Sequence, residues 1–252
     1  MGRPYLLFDA GGTLVFLSAE VFRREAARFG YAIEPGFFYD RLAGFEYRHD
    51  EGRRRGVPRE EIFGHRHFFR VVLEELGVSP EDAETIKDAI VAIHSKRNIW
   101  NATYPWVAET LTRLKRMGYG MSIISNTDAR VKEQLEDGGI VDFFDQIFDS
   151  KLIGFTKPDP RLFKYSCDAL GVQPEECLYI GDSLMIDVLG ANNFGMPAVL
   201  VDWGGLYGAW GGLRVKTVQE LPQLLEQHPD IFHAPGAFVF PPGSMKEEPV
   251  AG

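Results

Sequence analysis

Tyr5-Leu6-Leu7-Phe8 is a short apolar run that stops at Asp9 and then Gly11-Gly12, the pattern of a buried strand ended by a loop. From Ser18 to about Asn98 the apolar residues instead recur at helical spacing among many charges. Ile62, Phe69, Leu73 and Leu76 mark one amphipathic helix closed by Gly77. Ser79-Pro80-Glu81-Asp82 opens the next, with a capping Ser, Pro at the first helical position and acids in the first turn, and Ile86, Ile90 and Ile93 continue it. No strand pattern interrupts this stretch, so it reads as an all-helical insert.

After Trp100 the pattern changes. A helix through Val107, Leu111 and Leu114 ends at Gly118 and is followed by the strand-like Met121-Ser122-Ile123-Ile124. A helix from Val131 to Glu136 leads to a short strand at Gln146-Ile147-Phe148, and a helix from about Asp159 to Leu170 ends at Gly171. Cys177-Leu178-Tyr179-Ile180 is the next buried strand, Leu184 to Phe194 is helical, and Ala198-Val199-Leu200-Val201 is the last clear strand. Short apolar runs alternating with amphipathic helices predict a parallel sheet covered on both faces. The expected class is α/β: a Rossmann-like core over 1–17 and 99–230, an all-helical cap over 18–98, and a C-terminal extension over 231–252, where periodicity is lost from His233 onward.

Composition narrows the chemistry. The 252 residues are 45% apolar and 25% charged, as in an ordinary globular protein, and 13% aromatic content argues for a large packed core. The formal charge of −9 disfavours a nucleic-acid partner, which needs clustered basic charge, but leaves small anionic substrates open. Cys167 and Cys177 are too few for a disulfide framework or a zinc site and read as reduced core thiols. No run approaches the roughly 20 apolar residues of a membrane span, and nothing resembles a secretory leader. A cytoplasmic location is expected; the oligomeric state is not legible.

In open α/β sheets ligands bind outside the carboxyl ends of the strands. Those positions carry Asp9 with Gly11-Gly12-Thr13, then Ser125-Asn126, then Gly181-Asp182-Ser183 with Asp187 beyond, while Lys157 sits in Thr156-Lys157-Pro158-Asp159-Pro160. Each alone has an ordinary explanation: turn chemistry at Asp9, a helix cap at Ser125-Asn126, a surface lysine, solvated helix-end acids. Together and in this order they put a carboxylate, a hydroxyl, an ammonium and an acidic pair on one rim.

That set resembles the haloacid dehalogenase superfamily, whose four motifs run in this order. Phe8-Asp9-Ala10-Gly11-Gly12-Thr13-Leu14 is similar to its first motif, Ile124-Ser125-Asn126 to its second and Lys157-Pro158 to its third. Gly181-Asp182-Ser183-Leu184-Met185-Ile186-Asp187 is similar to the metal-binding form of its fourth, and the helical insert stands where the family carries a cap. The resemblance implies a hydrolase in which Asp9 attacks covalently, Ser125 donates to a substrate oxygen and Lys157 neutralises charge. It further implies Mg²⁺ on Asp9, the carbonyl of Gly11, Asp182 and Asp187, and a small phosphorylated metabolite contacted by Gly12, Ser125, Asn126 and Lys157.

One departure stands out. Phosphatases of the family carry a second Asp two positions after the nucleophile, and here that position is Gly11. The proton donor is then a cap residue, or the substrate has a good leaving group, or turnover is slow. The 2-haloacid dehalogenases, which need no acid there, are the alternative, with Arg41 as the cap arginine that holds halide. The metal-binding form of the fourth motif argues against them, because Asp182 beside Asp9 without a cation is strongly disfavoured. A phosphonate-cleaving relative would need Lys87 or Lys96 at the site, and a phosphate-binding pseudoenzyme would need no turnover at all.

Overall fold

The computed structural model describes residues 4–58, 61, 62 and 66–233. In chain order the elements are β1 (Tyr5–Phe8), β2 (Phe16–Leu17), α1 (Ala19–Ala27), α2 (Pro35–Arg54), α3 (Phe68–Glu75), α4 (Pro80–Lys96) and β3 (Trp100–Ala102). They continue with α5 (Pro105–Arg116), β4 (Gly120–Ser125), α6 (Val131–Asp137), β5 (Gln146–Asp149), α7 (Ser150–Ile153), α8 (Pro160–Leu170) and β6 (Cys177–Gly181). The last are α9 (Leu189–Phe194), β7 (Ala198–Val201), β8 (Arg214–Val215) and α10 (Leu221–Gln227).

Six strands form one parallel sheet in the order β5-β4-β1-β6-β7-β8. Alternation along β1 feeds both faces. Leu6 and Phe8 pack with Val107, Leu111 and Leu114 of α5 and with α10, while Leu7 packs with Leu162, Phe163 and Cys167 of α8 on the opposite face. β1 is central, and the chain leaves it for β4 and β5 on one side before crossing to β6 and β7 on the other. That reversal opens a crevice at the carboxyl end of β1, where Asp9 lies.

Helices α1 to α4 build a separate apolar cluster around Phe22, Phe38, Phe69, Leu73, Ile86 and Ile90, so the insert has its own core. Ser79 caps α4 as expected, its Oγ accepting from Asp82 N–H at 3.2 Å. Two short strands were not legible in the sequence: β2 and β3 pair antiparallel where the chain leaves and re-enters the sheet domain. β8 was likewise missed, since two- and three-residue strands carry no period to read. The stretch read as one helix from Leu184 opens as a π-helical turn, Leu184–Val188, before α9. At the C-terminal end the expected boundary at residue 230 is too early. Ile231 is buried in the main core and the Phe232 ring stacks on Tyr119 at 5.9 Å, while residues 234–252 lie outside the described residues. Both cysteines are free and buried, and no described helix is long and apolar enough to cross a membrane.

Candidate active site

Asp9 follows directly on β1, its N–H donating to Ile180 O at 2.8 Å, so the sheet itself fixes its position. Ser125 ends β4 and donates from Oγ to Asp9 Oδ1 at 2.9 Å. Lys157 donates from Nζ to the same Oδ1 at 2.7 Å, to Asp187 Oδ1 at 2.7 Å and to the Tyr179 hydroxyl at 2.8 Å. Asp9, Asp182 and Asp187 offer carboxylate oxygens within 4.8 Å of one another. The structure therefore brings together residues as far apart in the chain as Asp9 and Asp187, 178 positions.

The electrostatics follow from the packing. Burial pushes the Asp9 carboxyl up, Lys157 pulls it back, and Asp187 pushes it up again. Burial alone would lower Lys157, but Asp187 and Asp9 outweigh that and hold its ammonium charged. Asp182 is pushed well above the usual carboxylate range by burial and by the charges of Asp9 and Asp187, and no hydrogen bond reaches it among the described residues. Three clustered carboxylates share one ammonium. An all-oxygen donor set with uncompensated negative charge fits a hard divalent cation such as Mg²⁺.

Glycines make that crowding possible. Gly12 has φ of 75° and a Cβ there would lie 2.0 Å from Asp182 Oδ2, while a Cβ on Gly181 would lie 2.4 Å from Asp187 Cγ. Gly12 was expected at the substrate, but its N–H is engaged by Val15 O at 2.8 Å, and its role is to let Asp182 approach. Gly11 differs: its φ is outside the left-handed region, and a Cβ would meet the Trp100 ring at 3.4 Å, an ordinary contact.

Asn126 was also expected at the substrate. It lines the cleft, yet both amide atoms hold the third loop: Oδ1 accepts from Lys157 N–H at 2.9 Å and Nδ2 donates to Lys157 O at 3.0 Å. Asn126 thus positions Lys157. Arg41 is not brought to the site. Leu42, Phe45, His49 and Asp50 occupy the inward stripe of α2, and Arg41, off that stripe, is exposed with its guanidinium 4.8 Å above the Phe37 ring. Lys87 is paired with Glu84 and Asp88 on the cap surface, away from Asp9. Arg54 and Arg55 both pair with Glu51, and His67 accepts from Phe69 N–H to cap α3, while His65 lies outside the described residues.

Several site residues escaped the sequence reading. Tyr179, buried in β6, accepts from Lys157 and donates to Ile124 O at 2.9 Å. Asp149, at the end of β5, accepts from the Thr127 hydroxyl and from the N–H groups of Val131 and Lys151, and so shapes the loop after Ser125. From the cap come Glu46 and Asp50, one helical turn apart. Burial, then the charge of Asp50, raises Glu46 to about 7. The signal for them was legible in principle: these carboxylates fall on the apolar stripe begun by Phe38 and Leu42.

Asp9, Ser125, Lys157, Asp182 and Asp187, with Glu46 and Asp50 from the cap, line a cleft of about 560 Å³ whose walls also include Phe68, His94 and Trp100. That is the size of a small-molecule site. Over residues 5–195 the chain matches the family model of the haloacid dehalogenase-like hydrolases. Among characterised relatives, a glyceraldehyde 3-phosphate phosphatase of Methanopyrus kandleri is 35% identical over 202 residues, 79% of this chain and 84% of the relative. An (S)-2-haloacid dehalogenase of Burkholderia cepacia is 28% identical over 79% of this chain and 83% of its own length. In fold, a magnesium-bound HAD-hydrolase of Bacillus subtilis superposes with a TM-score of 0.62, at 20% identity, over 89% of this chain and all of that one. With the four loops assembled at the head of the sheet and the family model spanning cap and core alike, the chain belongs to the haloacid dehalogenase-like hydrolases.

Proposed function

We propose that this hydrolase is a Mg²⁺-dependent phosphatase of small phosphorylated metabolites, acting through an aspartyl-phosphate at Asp9. The observation that carries the reading is the charge imbalance of the site, three converging carboxylates against the single ammonium of Lys157. Asp9, Asp182, Asp187 and the Gly11 carbonyl are the groups that would hold the cation. When bound, Mg²⁺ offsets the charge of carboxylate and phosphoryl group as they approach.

The remaining chemistry belongs to the chain. Oδ1 of Asp9 is occupied by Ser125 and Lys157, which leaves Oδ2 to attack phosphorus. The new O–P bond forms as the ester bond breaks and the leaving oxygen departs with its electron pair. Water then attacks phosphorus, the Asp9 Oδ2–P bond breaks, and inorganic phosphate leaves as the carboxylate of Asp9 is restored. Lys157 keeps its charge throughout and stabilises the anionic transition state. Because Gly11 supplies no proton to the leaving oxygen, substrates whose leaving group is already acidic turn over best. Glyceraldehyde 3-phosphate, the substrate named for the Methanopyrus relative, is the first ester to test.

The dehalogenase reading draws on Gly11 and on the Burkholderia relative. Against it stand the acidic cluster and the outward position of Arg41. The deciding experiment is a panel of phosphate esters and 2-haloacids, each with Mg²⁺ and with chelator. Phosphate release that requires Mg²⁺ and disappears in Asp9→Asn is the expected result. Halide release indifferent to chelator selects the dehalogenase, and binding of phosphate without turnover selects a pseudoenzyme.

A further inference from the structure

Asp50 belongs to the cap and to none of the four loops, yet its carboxylate is buried and its hydrogen bonds run to the sheet domain. Ser183 Oγ donates to Oδ1 at 2.7 Å, and Leu184 N–H and the Tyr207 hydroxyl donate to Oδ2 at 2.6 and 2.7 Å. A carboxylate this enclosed is costly unless donors satisfy it, and these three exist for it only while α2 is docked. The residues it grips are informative. Ser183 follows Asp182 directly, its N–H donates to Asp187 Oδ2 at 3.0 Å, and its Oγ also accepts from Ile186 N–H at 3.1 Å. Ser183 and Leu184 thus lie between the two acids of the fourth loop, at the start of the π-helical turn that swings Asp187 back toward Lys157. π-helical turns are rare, occur mostly as single turns within helices and are frequent at functional sites.

We propose that Asp50 is a positioning residue: from the docked cap it holds Ser183 and Leu184 so that Asp182 and Asp187 face Asp9, which makes the cation affinity of the triad depend on cap docking. This rests on the reading of the triad as the Mg²⁺ site. It gives the cap a second task besides covering the substrate. A cap that lifts slackens the loop that carries two of the three acids, and a cap that closes restores it.

The test uses the full chain and the variants Asp50→Asn, Tyr207→Phe and Ser183→Ala. Two quantities are read: Mg²⁺ affinity by calorimetry, and amide exchange across residues 183–188 without metal. Loss of an outer partner to metal ligands weakens affinity by roughly 10–100-fold, and Asp50→Asn is expected in that range. Exchange across 183–188 should quicken in the same variant. Turnover of nitrophenyl phosphate should recover at saturating Mg²⁺, a rescue that general unfolding would not allow. Tyr207→Phe should shift both quantities the same way by less. Ser183→Ala added to Asp50→Asn should add little, because the two act as one contact. A folded Asp50→Asn protein with wild-type Mg²⁺ affinity and wild-type exchange at 183–188 overturns the proposal. If Asp50→Asn does not fold, unchanged affinity and exchange in both milder variants overturn it equally. Should the wild-type chain bind no Mg²⁺, the functional reading falls, and the exchange measurement alone then decides whether Asp50 holds the loop.

Discussion

At the scale of single residues, position 11 carries no carboxylate to protonate a leaving group, and the surrounding atoms allow a direct test. A Cβ at Gly11 needs no left-handed backbone and meets only the Trp100 ring, at 3.4 Å. Gly11→Asp should therefore fold and should raise turnover of alkyl phosphates, by no more than the roughly 10²–10⁴ that acid–base help provides. Nitrophenyl phosphate, whose leaving group needs little protonation, should gain far less. Steady-state rates on the two ester types, both with Mg²⁺, check this, and equal gains would show that something other than protonation had changed. Glu46 supplies a second test, of stability. Burial and Asp50 raise its carboxyl from the ordinary 4.5 to about 7, so the folded chain keeps a proton that the unfolded chain releases between those values. The stability this protonation contributes is fully present below about pH 4.5 and is lost as pH rises through about 7. Glu46→Gln removes that dependence. In chelator, its Tm should exceed the wild-type value at about pH 8 and converge with it at about pH 5. The Glu46 charge also helps to push Asp182 up, so the substitution relieves that repulsion as well and widens the difference on the alkaline side; a Tm difference that does not change with pH would refute the assignment.

Among the elements, the long periodic ones were legible and the short ones were not. β1, β4, β6 and β7 are apolar runs with a loop signal behind them, and helices α5, α6 and α8 bury one face each, so their patterns carry the information, while the four-residue α7 was not legible. β2, β3 and β8 exist through pairing partners far away in sequence, which no local pattern records. The same division applies to the site. Asp9, Ser125, Lys157, Asp182 and Asp187 stand at strand ends or in adjoining loops, and the parallel sheet gathers them almost of necessity. Arg41 failed because distance along a helix does not say which way a side chain turns, and Asp50 was missed because its donors lie 133, 134 and 157 positions away. The glycine turns joining strand to loop yield an element-scale prediction. Gly12→Ala imposes a side chain at φ of 75° and drives its Cβ into Asp182, whereas Gly11→Ala, one residue earlier, does neither. Such strain costs of order 1–3 kcal/mol, so Gly12→Ala should lower the unfolding midpoint in urea by a corresponding amount and displace Asp182. Its neighbour should stay close to wild type. Equal effects at the two positions would mean that the approach of Asp182 is not what requires glycine there.

For the molecule as a whole, the question is how a separate helical core and a sheet domain move against each other. The chain crosses between the two near Leu17–Ser18 and near Asn98–Trp106, the natural places for a hinge, and the two crossings are joined. Phe16 pairs with Ala102 and Leu17 with Trp100, Ser18 N–H donates to Ile99 O at 2.8 Å, and the Thr103 hydroxyl donates to Leu14 O at 3.1 Å. A zipped ribbon bends as one strap, so the cap has a preferred direction of swing. The same ribbon presents Trp100 to the cleft above Gly11, which ties its attitude to the width of the site. Because its amides are already bonded to each other, closure on a ligand changes little within the ribbon. The change concentrates on the far side of the cleft, where Asp50 meets Ser183, Leu184 and Tyr207. Domain closure that excludes water is the usual device for protecting a hydrolysable intermediate until the correct water attacks. Adding Mg²⁺ with tungstate, an unreactive phosphate mimic, should therefore slow amide exchange at residues 183–188 and at Tyr207 while leaving residues 16–18 and 99–102 little changed. Slowing confined to the ribbon would show that the crossings work as separate hinges after all, and no slowing anywhere on saturated binding would mean that the cap does not close on its ligand.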